Sequence, residues 1–139
     1  MDFLDRGRDH VLALFRVVVG GLFVIHGVKT LFGVLGAKAA VPFTTWPSGW
    51  AAVIQVVCGG LVVLGLGTRG AALLASGSMA YAYFVVHQPQ GLLPIENGGE
   101  TSTLFAWAFV LIAFTGPGVW ALDNVVAARR TETRVPQPA

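Results

Sequence analysis

Four long apolar segments, separated by short polar stretches, dominate the pattern of this chain. They cover residues 11–31, 50–67, 70–87 and 102–122. Each is close to the roughly 20 apolar residues that a helix needs to cross a bilayer core of about 30 Å. The connection GTRG at 67–70 is so short that the second and third helices must run antiparallel. The pattern therefore predicts an all-α fold, a transmembrane four-helix bundle.

Composition strengthens the membrane interpretation. Of the 139 residues, 55% are hydrophobic and 12% are charged, whereas soluble domains carry about 25% charged residues. The formal charge of +2 comes without a basic run that could follow a phosphate backbone, so we expect no nucleic acid partner. The expected partners are the lipid bilayer and, within it, other membrane protein subunits or further copies of the chain in a homo-oligomer.

The basic residues predict how the bundle is oriented. Six of them fall on one side of the predicted spans: Arg6, Arg8, Arg69, Arg129, Arg130 and Arg134. The opposite side has Lys29 and Lys38. Because loops rich in Lys and Arg stay in the cytoplasm, we expect a multi-pass protein of the inner (plasma) membrane with cytoplasmic N- and C-termini. The membrane domain is expected over 1–128, followed by a polar, disordered tail at 129–139.

One charged residue lies inside a predicted span. Arg16 interrupts the first apolar segment and, with the three aspartates of the leader MDFLDRGRDH, favours a retained span over a cleaved signal peptide. An ionisable residue within a membrane usually finds a partner. Asp123 lies at the same end of the bundle, so we predict a structural Arg16–Asp123 ion pair. The single cysteine, Cys58, excludes an internal disulfide and a cysteine metal cluster.

Polar residues of different segments fall at one depth in the predicted bundle. At a rise of 1.5 Å per residue, the outer third would hold His26, Lys29, Gln55, Tyr83, His87, Glu96, Glu100 and Trp107. His26 and Lys29 are three positions apart and Tyr83 and His87 four apart, so each pair shares a helix face. Two such faces can point into one interior.

The two glutamates of this layer are the only acidic residues between Asp9 and Asp123, and both lie in the loop LLPIENGGETS. We interpret this loop as the lid or wall of a polar pocket. The candidate catalytic residues are His26, His87 and Glu100. The candidate ligand-binding residues are Lys29, Gln55, Tyr83, Glu96, Asn97 and Trp107.

An ordered set of short motifs resembles the DoxX family of small four-helix membrane proteins. The matching elements are Arg16, HG at 26–27 followed by Lys29, GG at 59–60, LGLGTR at 64–69, AY…H ending at His87, NGGE at 97–100, and GPG…LD ending at Asp123. The resemblance implies small subunits of quinol-oxidising or thiosulfate:quinone oxidoreductase assemblies, or membrane partners of oxidative-stress enzymes. Many members carry Glu before the second-helix GG, where this chain has Gln55. An amide hydrogen-bonds but relays no proton at neutral pH.

The first functional hypothesis is a subunit of a quinone-linked oxidoreductase with an outer-facing pocket for a quinone-like compound. His26 and His87 would hydrogen-bond its oxygens or exchange protons, since histidine titrates near neutral pH. Glu100 would orient a histidine or accept a proton. Tyr83 and Trp107 would pack against the ring. The sequence offers no electron carrier of its own, so a partner's cofactor would have to receive or supply the electrons.

Two other hypotheses use the same residues differently. Two imidazoles and a carboxylate form an adequate donor set for zinc or ferrous iron, although they come from three separate segments without a ligand-type spacing. Alternatively, the chain is a non-catalytic accessory or assembly subunit of a larger membrane complex, which its small size and many glycines suit.

Overall fold

The computed structural model describes residues 2–132. Within that range the chain forms six α-helices and no strand, which confirms the predicted all-α class. The helices are α1 Asp2–Phe32, α2 Ser48–Leu64, α3 Thr68–Ala82, α4 Pro94–Asn97, α5 Glu100–Thr115 and α6 Leu122–Glu132. After α3 the chain continues directly as a π-helical turn, Tyr83–His87, and a 3-10 turn, Gln88–Gln90.

The predicted fourth segment, 102–122, is helical only in its first part, because α5 ends at Thr115 and α6 begins at Leu122. α5 and α6 are separated by the segment 116–121. Gly116 and Gly118 adopt positive φ angles of 86° and 68°, and Pro117 between them has no amide hydrogen to donate to a helix. The TGPG motif therefore produces a full break between α5 and α6.

The two ends of the described chain also differ from their predicted boundaries. α1 begins at Asp2 and not at residue 11, because the intervening leader contains no proline that would stop a helix. α6 reaches Glu132, so the start of the tail predicted to be disordered is helical. Residues 133–139, including Arg134, lie outside the described residues.

Within residues 2–132, α1 is the one helix that is long and apolar enough to cross a membrane, over Phe3–Phe32. α2 and α5 are apolar but shorter, with 17 and 16 residues. The outward side of α1 exposes a stripe of large apolar residues at helical spacing: Val11, Leu14, Val18, Leu22 and Ile25. An uncovered stripe of this kind requires an apolar neighbour, either lipid or another helix.

Close packing joins the helices in pairs, α1 with α2 and α3 with α5. At the first interface a Cβ on Gly20 would lie 3.0 Å from the carbonyl oxygen of Gly59. Their neighbours Gly21 and Gly60 face open space, so one glycine of each GG pair makes the close approach. The pairs meet in an apolar core formed by Phe23, Cys58, Val62, Ala72, Ala75, Met79, Phe109 and Ile112.

A network of charged residues fixes one end of the molecule, which we call the arginine end. The Arg16 side chain is only 1% exposed. Its guanidinium donates hydrogen bonds to four carbonyl oxygens, those of Pro117 (2.9 Å), Val62 (2.6 Å), Val63 (2.6 Å) and Trp120 (3.2 Å). Arg16 therefore ties the end of α2, whose last carbonyls have no partner within the helix, to the segment 116–121.

Two further side chains complete the arginine end. Arg69 donates to the carbonyl oxygens of Ala113 (2.9 Å) and Phe114 (3.2 Å) at the end of α5. The Asp123 carboxylate accepts from the Gly67 amide (2.7 Å) and from the amide and hydroxyl of Thr68 (2.9 and 2.7 Å). It thus caps the N-terminus of α3 from another helix.

The structure corrects the form of the predicted Arg16–Asp123 ion pair. Among the described residues, Arg16 donates to carbonyl oxygens and Asp123 accepts from Gly67 and Thr68, so each has its own partners. Burial raises the pKa of the Asp123 carboxyl, but the Thr68 and Gly67 hydrogen bonds and the Arg16 charge outweigh it and leave the pKa below its usual value. Arg16 and Asp123 therefore interact by electrostatic attraction and not through a direct hydrogen bond.

Candidate functional site

A cavity of about 560 Å³ lies at the opposite end of the molecule, which we call the cavity end. It is bounded by the last turns of α1, the first half of α2, α3 with its π-helical turn, and the start of α5. The walls are mainly apolar and aromatic, from Trp46, Ile54, Leu73, Leu74, Met79, Val86 and Phe105. Among the described residues, the cavity walls include no Asp, Glu, Lys or Arg, so they suit a ligand without net charge.

Three of the predicted site residues line this cavity together: His26 from α1, Gln55 from α2 and His87 from the π-helical turn. Gln55 is the most informative because it is 8% exposed and its Oε1 atom has no hydrogen-bond partner in the described protein. A buried acceptor without a partner costs about 1–3 kcal/mol. A buried side chain on a cavity wall with an unpartnered polar atom is a candidate contact for a molecule from outside the chain.

The structure fixes the hydrogen-bonding role of His87. Its Nδ1 atom lies 3.1 Å from the carbonyl oxygen of Asn97. A carbonyl oxygen only accepts, so Nδ1 must carry the hydrogen. In the neutral ring Nε2 is then an acceptor, and it has no partner among residues 2–132. His87 therefore offers the cavity a lone pair at a defined position.

The NGG motif builds the loop that holds His87. Asn97 is 6% exposed, accepts from the Gly99 amide (2.8 Å) and donates to the Gly91 carbonyl oxygen (2.9 Å). Gly98 adopts a φ of 69°, a conformation that favours glycine. A Cβ on Gly99 would lie 2.7 Å from the Tyr83 ring. The asparagine and glycines thus serve the loop geometry, and only the Asn97 carbonyl reaches the site histidine.

His26 reaches the cavity because α1 and α2 approach closely beside it. A Cβ on Gly27 would lie 2.7 Å from the Ala52 carbonyl oxygen and 2.9 Å from the Gln55 Cβ. The His26 ring is edge-on to Phe105, with 6.3 Å between ring centroids. In the HG dipeptide, Gly27 therefore allows the close approach of the two helices that brings His26 next to Gln55.

The remaining predicted residues do not line the cavity. Glu96 and Glu100 are exposed, in the first turns of α4 and α5, where negative charge is favoured by the helix dipole. Trp107 is 69% exposed on the outer side of α5. Tyr83 packs on Gly99, outside the cavity wall. Lys29 is half-buried and also lies outside the cavity lining.

Pattern reasoning missed several groups that do line the cavity. These are the hydroxyl residues Thr30, Ser48, Ser78, Tyr81, Thr101 and Ser102, and the aromatic residues Trp46 and Phe105. Small hydroxyl residues within apolar helices carry a weak signal, since most of them bond to their own helix. The position of Thr101 and Ser102 directly after the NGGE motif is the signal that could have found these two.

The described part of the chain has no group of three or more His, Cys, Asp and Glu side chains arranged to hold a metal ion. The metal hypothesis needed two imidazoles and a carboxylate at one point. With Glu100 on the surface, that donor set is incomplete.

Fold and composition define a small all-α protein with a largely apolar exterior. A sequence model of the DoxX family matches residues 11–88, more than half of the chain, and the chain belongs to that family of membrane proteins. It is 38% identical to an uncharacterized protein of Haemophilus influenzae over 133 residues, covering 89% of this chain and 96% of that protein. It is 29% identical to an uncharacterized membrane protein of Mycobacterium tuberculosis, covering 84% and 81%. No solved structure matches significantly.

Proposed function

We propose that this protein is a membrane subunit of a redox system and that its cavity binds a neutral ring compound of the quinol or quinone type. The observation that carries the proposal is Gln55, a buried side chain that lines the cavity with His26 and His87 and whose Oε1 atom has no hydrogen-bond partner in the described chain. The volume of about 560 Å³ lies in the usual range for small-molecule sites, roughly 300–1,000 Å³.

The hydrogen-bonding roles favour the reduced form of such a compound. His87 Nε2 is an acceptor on a residue of the cavity wall, so it complements a ligand that offers a donor. The hydroxyls of a quinol are donors, whereas the carbonyl oxygens of a quinone only accept. His26, which has neither ring nitrogen fixed by a protein bond in the described part, can serve either form.

The same residues suggest a path for protons. Oxidation of a quinol to a quinone releases two protons and two electrons. His87 Nε2 can accept one proton and His26 the other, because both are histidines with an open nitrogen at the cavity wall. The electrons would pass to a redox cofactor of a partner protein, since the described side chains include no carrier for them.

A binding titration tests this proposal. Purified protein in detergent is titrated anaerobically with a tailless 1,4-benzoquinol and with the matching benzoquinone, and Kd is measured from quenching of tryptophan fluorescence. We expect the quinol to bind about tenfold more tightly than the quinone. Gln55→Leu should weaken quinol binding about tenfold, the usual loss for one ligand hydrogen bond.

The control is Gln88→Leu, which changes an exposed glutamine outside the cavity wall. It should bind the quinol as the unmodified protein does. Equal binding by the two leucine variants, or no binding of either compound to the unmodified protein, would overturn the proposed function.

The proposal includes four membrane spans, namely α1, α2, α3 with its π-helical turn, and α5, with both termini in the cytoplasm. At 1.5 Å per residue α2 and α5 reach only about 25 Å, so a locally thinned bilayer would have to accommodate them. The outer side of α5 supports the proposal because it exposes Leu104, Trp107, Leu111 and Phe114. Fluorescent protein fused after Arg130 should be fluorescent and alkaline phosphatase fused after Gly91 should be active. The opposite pattern would refute the orientation.

A second candidate function is that of an assembly subunit. An apolar groove of about 240 Å³ runs between α1 and α5, lined by Val19, Leu22, Leu104, Phe105 and Ala108, and it could receive a helix of another subunit or of a second copy. In that case Gln55→Leu would rescue a deletion strain fully, whereas Leu22→Trp, which fills the groove, would not.

A further inference from the structure

The cavity is longer than a ring compound requires. Its wall follows α3 and the π-helical turn from Leu73 to His87, fourteen positions, or about 21 Å at helical rise. The site histidines and Gln55 lie at one end of this length. At the far end the wall consists of Leu73, Leu74 and Gly77. The cavity therefore has a polar head and an apolar extension, which we call the α3 groove (Leu73, Leu74 and Gly77).

The α3 groove is open to the outside of the protein. Leu73 and Leu74 are 55% and 56% exposed although both line the cavity. Nearer the polar head, Trp46 from the loop before α2 meets Tyr81 of α3 edge-on, with 5.8 Å between ring centroids. This ring pair connects the loop to α3 near the polar head. The opening of the cavity therefore lies further along α3, at its apolar residues.

We propose that the ligand carries a long hydrocarbon tail, with its ring at His26, Gln55 and His87 and its tail along the α3 groove into the bilayer. This inference rests on the proposed binding of a ring compound. A tail fits because the groove has no charged side chain, continues directly from the cavity and opens on a face that is itself apolar. A ring compound without a tail would fill only the polar head and leave the α3 groove to lipid chains.

Gly77 allows a selective test. A Cβ at this position would meet nothing within 4 Å, so a larger side chain enters the groove without displacing protein atoms. Gly70, on the same helix and outside the cavity wall, has equally open space. Gly77→Leu and Gly70→Leu are therefore matched variants, of which only the first fills the groove.

The experiment measures the Kd of two quinols for the protein in lipid nanodiscs, one without a tail and one with a ten-carbon tail on the same ring. We expect Gly77→Leu to weaken binding of the tailed quinol about tenfold and to change that of the tailless quinol less than about twofold. Gly70→Leu should change neither. A second block, Leu73→Trp, should reproduce the selective loss.

Equal losses for both quinols, or no loss for either, in both blocking variants would overturn the tail groove. In those cases the proposed function would still stand as long as the unmodified protein binds the tailless quinol. If the unmodified protein binds neither quinol, the proposed function fails, and the tail groove fails with it.

Discussion

The arginine end and the cavity end of this protein satisfy their polar groups in opposite ways. At the arginine end the three charged side chains that join the helices all have partners within the chain: Arg16 donates to four carbonyl oxygens, Arg69 to two, and Asp123 accepts three hydrogen bonds. At the cavity end, Gln55 Oε1 has no partner in the described chain and His87 uses one of its two nitrogens.

This difference shows which polar residues hold the fold and which are available to a ligand. A buried charge is too costly to leave unpaired, so Arg16 and Asp123 are surrounded by backbone groups. A neutral amide or imidazole costs less, and a protein can keep it unpartnered for an incoming molecule. In this chain the strongest charges therefore indicate structure, and the uncharged polar groups indicate function.

The largest expected effect comes from removing the centre of the arginine end. Arg16→Leu removes hydrogen bonds to four carbonyl oxygens, of which the Val62 oxygen keeps the Gly65 amide as a donor, so we expect a loss of about 3 kcal/mol or more in the free energy of unfolding. Thermal unfolding in detergent measures it. Arg8→Leu, at an exposed position on the same helix, is the control. Similar unfolding temperatures for the two variants would contradict the assigned role of Arg16.

The second-largest effect on stability is expected at the interface between α1 and α2, two helices that reach both ends of the molecule. A Cβ on Gly59 would lie 2.8 Å from Val24 Cγ2 and 3.0 Å from the Gly20 carbonyl oxygen, so Gly59→Leu should cost about 2 kcal/mol through overpacking. Gly60→Leu, facing open space, should cost far less. Chemical unfolding of both variants measures the difference, and equal losses would show that this close approach is not needed.

At the cavity end we expect a substitution to increase the free energy of unfolding and not to lower it. Gln55→Leu removes a buried acceptor that has no partner, so the ligand-free protein should become more stable by about 1 kcal/mol although it loses quinol binding. The unfolding temperature is compared with and without quinol. A destabilised ligand-free variant would mean that Gln55 holds the fold, as Arg16 does, and the contrast between the two ends would disappear.

The smallest expected effect concerns Asp123. Its folded pKa lies below that of an unfolded aspartate, so its stabilisation is complete above the unfolded value, near pH 4, and is lost as the pH falls through the folded pKa. Asp123→Asn should lose about 0.5 kcal/mol at neutral pH and respond less to acid below pH 4. Stability curves between about pH 2 and 7 test this. Parallel curves for the two proteins would contradict it.

The sequence pattern located the helices better than their ends. Helices lie where the first three apolar runs and the start of the fourth predicted them, but the turn at Gly116 and Gly118 ended the last helix early. Here two positive φ angles and a proline override a strong apolar pattern. The apolar pattern did not predict the π-helical turn that carries His87, because the residues of that turn are equally typical of a regular α-helix.

What the sequence alone determined is the position of each side chain along its helix. A fixed rise per residue makes depth readable, so His26, Gln55 and His87 could be assigned to one layer, and Arg16 and Asp123 to the opposite end. Tertiary structure decided which way each side chain faces. α5 is apolar on nearly every side, so nothing local could show that Trp107 faces outward. The surface position of Glu100 likewise follows from how the Asn-Gly-Gly loop folds back onto His87, a contact over ten residues that the pattern along one helix does not encode.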